Sequence, residues 1–391
     1  MTLLAILADC VLTPLEAIPN GVVLVDGSQV AAVGTRQEVQ IPRTATRLEA
    51  KGKTLVPGFV DIHVHGAGGS DVMDAGPETL QTVASILARF GTTSFVPTTV
   101  TASLDATIAA ILRIAAFTRA SGIQSEHSIT SESLGIHLEG PFISKARRGV
   151  HPEEWIVAPS LNLFERLIAP AMGEVRILTL APELPGALEL IVAARKQEAV
   201  VSMGHTDATY DQATAAIRHG ATHAAHMFNA MRPFSHRETG VIGAVMTSPD
   251  VTAELIADGV HVDAAAMRML LAAKGVERMI LVSDGTSATG MPDGRYRLGP
   301  FEVTVSEGVC RNSEGRLAGS TLTLDRAVRT IVGLGVPLRD AVQMATLNPA
   351  RRVGVEGRKG VIRPGADADL LLLDENLSVS GVMTRGVGFA A

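Results

Sequence analysis

Cysteine is scarce in this chain: Cys10 and Cys310 are the only two in 391 residues, and no Cys-x-x-Cys occurs. That excludes a disulfide framework and fits two buried thiols in a reducing compartment. Aromatic residues make up only 3%, with a single tryptophan, Trp155. Ring stacking is therefore not expected to organise a ligand. Charge of one sign never accumulates, and the net of −6 carries no long run. A nucleic-acid partner, which would want a basic face, is not expected. No apolar stretch reaches the roughly 20 residues of a membrane-spanning helix, so no membrane association is expected. The apolar start, residues 1–10, has no Lys or Arg ahead of it, and Asp9 is a poor neighbour for a lipoprotein cleavage at Cys10. It reads as an ordinary first strand, and the expected location is cytoplasmic.

What is present is regular alternation. Short apolar runs at 59–65, 93–98, 134–140, 175–181, 200–205, 222–228, 252–261 and 279–284 read as strands. Helical patterns at 78–90, 105–120, 184–197, 210–218 and 264–274 lie between them. Parallel strands need crossover helices, so eight such units predict an α/β fold, a closed (β/α)8 TIM-like barrel. An open doubly wound sheet is the alternative, but no Gly-x-Gly-x-x-Gly follows the first strand. The chain ends differ in style, with short strands broken by Gly and Asp in 3–50 and again after 360. Neither end has enough strands to bury a core alone. Together they predict one small β-sandwich domain, built from residues 1–56 and 353–391 around a barrel of 57–352. Residues 295–318 read as a hairpin inserted after the last barrel strand.

The chemistry starts at Asp61-Ile-His-Val-His65. Side chains on a strand alternate with period two, so His63 and His65 share a face. Glu139, His205, His226 and Asp284 also fall at the C-terminal ends of predicted strands, the reactive end of such a barrel. One carboxylate and four imidazoles converging there suit a zinc-class or iron-class divalent ion, whereas magnesium prefers oxygen. His223 stands three positions before His226, so on a regular strand only one of the two rings enters the mouth. His226 is the candidate and His223 reads as structural. His137 shares a face with Glu139 one layer deeper, as a core or supporting residue.

The motifs Gly135-Ile-His-Leu-Glu-Gly-Pro-Phe142, Ser202-Met-Gly-His-Thr-Asp207, Thr222-His-Ala-Ala-His-Met-Phe-Asn-Ala-Met231, Ala257-Asp-Gly-Val-His-Val262, Leu281-Val-Ser-Asp-Gly285 and Leu317-Ala-Gly-Ser-Thr-Leu322 run in order along the chain. In them the sequence resembles the N-acetylglucosamine-6-phosphate deacetylases of the amidohydrolase superfamily. Asp-x-His-x-His marks only the superfamily, whereas His-Leu-Glu-Gly-Pro-Phe with His-Met-Phe-Asn-Ala-Met is far more specific.

The resemblance implies removal of acetyl from N-acetyl-D-glucosamine 6-phosphate. Glu139, His205 and His226 would hold the main metal ion, and His63 and His65 a second one, giving one or two ions per subunit. Superfamily relatives with a carboxylated lysine carry it at the end of the fourth strand. Here that end reads Thr179-Leu-Ala-Pro-Glu183 without lysine, and Glu139 takes its place. Asp284 would move the proton and His151 would contact the substrate and stabilise the oxyanion. Arg237, His261 and the backbone near Asn229 and Ala230 would meet the phosphate, with Arg237 reaching the neighbouring subunit's site in a homodimer. The nearest alternative is an amidohydrolase acting on an N-acyl amino acid or a cyclic amide. A catalytically inactive barrel kept as a scaffold is the alternative from another class.

Overall fold

The computed structural model describes residues 3–76, 78–121 and 128–389. Its first strand, Leu4–Leu12, agrees with the reading of the apolar start, whose Met1 and Thr2 lie outside the described residues. This strand pairs antiparallel with Gly21–Asp26 and parallel with the long strand Thr46–Pro57. The far edge of Thr46–Pro57 receives Leu370–Leu373 from the other end of the chain, antiparallel, with Leu370 opposite Pro57. Both termini therefore belong to one continuous eight-stranded sheet. Ile6, Val11, Val23 and Leu55 pack with Leu370 and Met383 in its core, so neither end closes that core alone.

Gly58 joins this sheet to the barrel. A Cβ there would lie 2.1 Å from Thr93 Oγ1, so no larger residue lets the chain turn this close to its neighbour. The eight parallel barrel strands are Phe59–Val64, Thr92–Thr99, Ile136–Glu139, Val175–Leu180, Val200–Met203, Ala221–Ala224, Thr252–Leu255 and Met279–Leu281. They are hydrogen-bonded in that order. The ring closes through a parallel bridge between Val64 and Gly285, with the Asp284 N–H donating to His63 O at 2.9 Å. Helices cover the outside, which is why nearly every strand residue is buried and why the strands are rich in apolar and β-branched residues. Helix Tyr210–His219 starts from a capping box between Thr209 and Gln212, and Asp263 caps Ala264–Lys274.

The inserted segment is three antiparallel strands, Gly294–Leu298, Phe301–Ser306 and Val309–Asn312. It packs Leu298, Val303 and Val305 against Val100 at the barrel mouth. Cys310 is buried in that cluster and Cys10 is half-buried, and both are free thiols. The sheet and the barrel are also tied by charge. Buried Lys359 Nζ lies 2.7 Å from Glu132, 2.8 Å from Asp367 and 2.7 Å from Asp369. Among the described residues no helix is long and apolar enough to cross a membrane.

Candidate active site

The strands stop short of the residues that matter. Of the six strand-end candidates only His63 and Glu139 lie within a strand. His65 follows its strand by one residue, and His205, His226 and Asp284 sit just past theirs. The last three have left-handed backbones, at φ 46°, 27° and 50°. Such conformations cost about 1–3 kcal/mol each for non-glycine residues. Here they turn the side chains inward over the rim, where a continued strand would carry them past it. The alternation argument separating His223 from His226 thus does not apply, because the strand ends at Ala224. Both rings are buried. His226 reaches the mouth, while His223 bonds Thr252 Oγ1 at 2.6 Å and Glu254 at 2.9 Å beneath it.

The carboxylate of Glu139 is the centre. Its Oε1 lies 3.3 Å from His63 Nε2, 3.3 Å from His205 Nε2 and 3.1 Å from His226 Nε2. Its Oε2 lies 3.4 Å from both His65 Nε2 and His151 Nε2. Asp284 Oδ1 approaches His65 Nε2 at 3.2 Å and His63 Nε2 at 3.8 Å. Five imidazoles and two carboxylates thus share one buried cluster. The donor atoms of His63, Glu139 and His226, and those of His63, His65 and Asp284, lie within 4.8 Å of one another, placed to bind a divalent metal ion.

The far side of each ring decides what its near side offers. His63 Nδ1–H donates to Glu254 at 2.8 Å, His65 Nδ1–H to Thr98 O at 2.9 Å, and His205 Nδ1–H to Arg147 O at 3.0 Å. Each ring is thereby left with Nε2 toward Glu139, where it can bind a metal ion through its lone pair or hold a proton in the ion's place. His151 is the reverse. Its Nδ1 accepts the Thr101 N–H at 3.1 Å, so its proton sits on Nε2 and points into the cluster. By donor-atom distances His151 could join a metal group with Glu139 and His205. Its hydrogen bonding instead makes it a donor.

Electrostatics agree. Burial disfavours charge on His63, but Glu254 and Glu139 outweigh it and hold the ring well above its ordinary range. Burial likewise opposes charge on His65, and bonds to Asp284 and Glu139 lift it to about 9. His151 falls to about 4 through burial and the nearby His205, so it stays neutral. Burial alone would raise Glu139, yet His63 and His205 hold it well below the carboxylate range. The cluster demands positive charge where the Nε2 atoms meet.

His137, the supporting residue expected one layer down, is buried and bonded to Thr179 Oγ1 at 2.7 Å and Ile62 O at 3.1 Å. Asp61, at the head of the histidine motif, is fully buried. It accepts the N–H groups of His63 and Ser283 across the first and last strands. Glu254 was missed. It lies in Thr252–Leu255, an apolar strand fully buried in the barrel, and a carboxylate in such a run is the signal that could have found it.

A cavity of about 190 Å³ opens above the cluster. Glu139, His151 and Asp284 line its floor, and Asn229, Ala230 and His261 also line it. His261 is held by Asp258, which accepts its Nδ1–H at 2.6 Å. Val100, Val150, Leu298 and Leu317 supply apolar lining. Arg237 does not line the cavity. It lies on an exposed loop, and among the described residues no Arg or Lys of this chain lines the cavity either.

Residues 54–387 match the amidohydrolase family. The chain belongs to that family. Among relatives, it is 41% identical over 347 residues to an N-acetylgalactosamine-6-phosphate deacetylase of Escherichia coli O157:H7, spanning 88% of this chain and 90% of that one. It is 36% identical over 377 residues to an N-acetylglucosamine-6-phosphate deacetylase of Bacillus subtilis (strain 168), spanning 96% and 94%. The structure of a Mycobacterium smegmatis N-acetyl-D-glucosamine-6-phosphate deacetylase mutant in complex with N-acetyl-D-glucosamine-6-phosphate superposes at a TM-score of 0.92. It is 37% identical and covers 99% of each chain. The resemblance read from the motifs holds over nearly the whole length of this amidohydrolase, and so does the expected barrel. It is a hydrolase of amide bonds, as those relatives are.

Proposed function

We propose that this amidohydrolase is a cytoplasmic, metal-dependent deacetylase of N-acetyl-D-glucosamine 6-phosphate, giving acetate and D-glucosamine 6-phosphate. One observation carries the reading: the Glu139 carboxylate faces five imidazole Nε2 atoms, with Asp284 beside them, at the mouth of the barrel. The residues fit a divalent ion. Nε2 of His63 is buried, and it sits out of line for a hydrogen bond to any neighbour. The donor set is rich in imidazole, which suits zinc or iron better than magnesium. Glu139, His205 and His226 would hold one ion, and His63 and His65, sharing Glu139, a second. Such an ion, when bound, supplies Lewis acidity that lowers the pKa of water from about 15.7 to about 7.

The protein's own groups do the rest. Asp284 is held below the ordinary carboxylate range by its bond to His65 and by nearby imidazole charge, against the effect of burial. It is ionised and takes a proton from the attacking water. Water oxygen bonds to the acetyl carbon, the C–N bond breaks, and the same proton passes from Asp284 to the leaving amine. The Nε2–H of His151 donates to the carbonyl oxygen as negative charge grows there. His261 and the turn at Asn229 and Ala230 receive the phosphate end. Arg237 of the partner subunit in a homodimer completes that end, since a guanidinium forks onto phosphate oxygens.

The N-acetylgalactosamine-6-phosphate relative, at 41% identity, favours a second reading in which the epimeric sugar phosphate is the substrate. The N-acyl amino acid or cyclic amide alternative is not favoured by these relatives. Acetate release measured on both hexosamine phosphates, on unphosphorylated N-acetylglucosamine and on an N-acyl amino acid separates the readings. Preference for the plain sugar or the amino acid would end the proposal.

A further inference from the structure

The apolar run Val251-Thr-Ala-Glu-Leu-Ile-Ala257 carries a carboxylate into the barrel interior. Glu254 is fully buried, and its direct side-chain partners among the described residues are two imidazoles and one main-chain N–H. Oε2 accepts His63 Nδ1–H at 2.8 Å and the His226 N–H at 3.0 Å. Oε1 accepts His223 Nε2–H at 2.9 Å, and His223 Nδ1 in turn accepts from Thr252 Oγ1 at 2.6 Å. Burying a carboxylate is costly unless each oxygen is satisfied. Here both are, by residues of the first strand, the sixth strand and the turn that follows the sixth. The bond to His63 occupies Nδ1 and turns Nε2, the atom left to bind a cation, toward Glu139 Oε1. The bond to His226 clamps a turn at φ 27° that sets the other Nε2 over the same oxygen.

We infer that Glu254 is the positioning residue that orients His63 and His226 jointly onto Glu139 Oε1, with His223 locking Glu254 from below. This rests on the metal-site reading above. It assigns His223 a supporting place rather than a ligand's. A carboxylate or carbonyl behind a metal-binding imidazole fixes its tautomer, and loss of such a partner typically costs 10- to 100-fold in metal affinity.

The variants Glu254→Gln and Glu254→Leu separate orientation from charge. In the Glu254→Gln variant the amide oxygen must face His63 and the His226 N–H, both donors. The amide NH2 then falls toward His223, whose ring can invert its tautomer. Glutamine therefore keeps both imidazoles aimed, and leucine does not. Purified wild type and variants, stripped of metal, are titrated with Zn2+ against a chromophoric chelator, and metal-free folding is followed by circular dichroism. Expected is zinc affinity about 10- to 100-fold weaker in Glu254→Leu, with Glu254→Gln recovering a clear part of it. Wild-type affinity in Glu254→Leu would overturn the inference, as would a Gln variant no better than Leu. Should the Leu variant not fold, nitrogen NMR of histidine tautomers in zinc-loaded wild type decides. His63 protonated on Nδ1 supports the inference, and on Nε2 overturns it. Wild type that binds no zinc would instead sink the metal-site reading itself, and this inference with it.

Discussion

The main-chain N–H of Thr101 donates to Nδ1 of His151 at 3.1 Å, and this one bond aims the proton on the other side of the ring at Glu139. A backbone amide cannot reverse its role, so His151 enters the cavity as a donor, while His63, His65 and His205 turn in an Nε2 that a metal ion can bind in place of a proton. The distinction separates a group that would bind the substrate's carbonyl oxygen from groups that would bind a cation. His151→Ala should lower kcat by about 10²- to 10³-fold. Bound metal, measured by elemental analysis of the same preparation, should stay at the wild-type level. A parallel loss of metal would make His151 a ligand.

Asp284→Asn should cut turnover by about 10²- to 10⁴-fold, the range typical for a general acid–base group. Asparagine keeps the shape and loses the proton transfer. Steady-state kinetics beside metal quantification checks this, and near-normal turnover would move the acid–base role elsewhere.

Arg237→Ala should raise KM for the phosphorylated sugar by about 10- to 100-fold, the worth of one charge-assisted hydrogen bond. KM for the unphosphorylated sugar should not move. Equal changes on both would remove Arg237 from the phosphate.

Lys359→Met should destabilise the fold by about 3–5 kcal/mol, because it leaves Asp369 as a buried charge without its cation and strips Glu132 to its bond with Arg358. Urea denaturation of the metal-free protein measures this. Loss of under about 1 kcal/mol would mean the network relaxes or takes up protons at little cost.

Burial would raise Glu132, but Arg358 and Lys359 overcome it and bring its pKa down to about 2 from an unfolded value of 4.5. A depressed acid contributes stability that is complete above its unfolded pKa and is lost as pH falls toward the folded one. Stability should therefore drop between roughly pH 4.5 and 2, and the drop should be shallower in Glu132→Gln. Denaturation midpoints across that pH range check the sign.

Much of this molecule is legible in its letters, and the gaps have physical causes. Parallel strands covered on both faces are mostly apolar or β-branched, so 59–64, 92–99, 175–180 and 279–281 stand out from the helical patterns between them. The expected strands at 200–205, 222–228 and 252–261 overran, because the apolar pattern continues while the backbone turns over the rim. Side-chain period says nothing about a left-handed φ, which is why His223 and His226 were set apart by an alternation that had already ended. Glu254 escaped notice because one acidic letter in an apolar run carries no spacing pattern.

The residue types needed for the chemistry are written along the chain: histidines and acids at successive strand ends, and enough β-formers at both termini for a shared sheet. That follows from local rules of period, burial and turn composition. Which nitrogen of each imidazole faces Glu139, and that Glu254 stands behind two of them, arises only once eight strands close and bring far-apart positions within hydrogen-bonding reach. Hydrogen-bond direction depends on partners from other strands, and no local pattern encodes them.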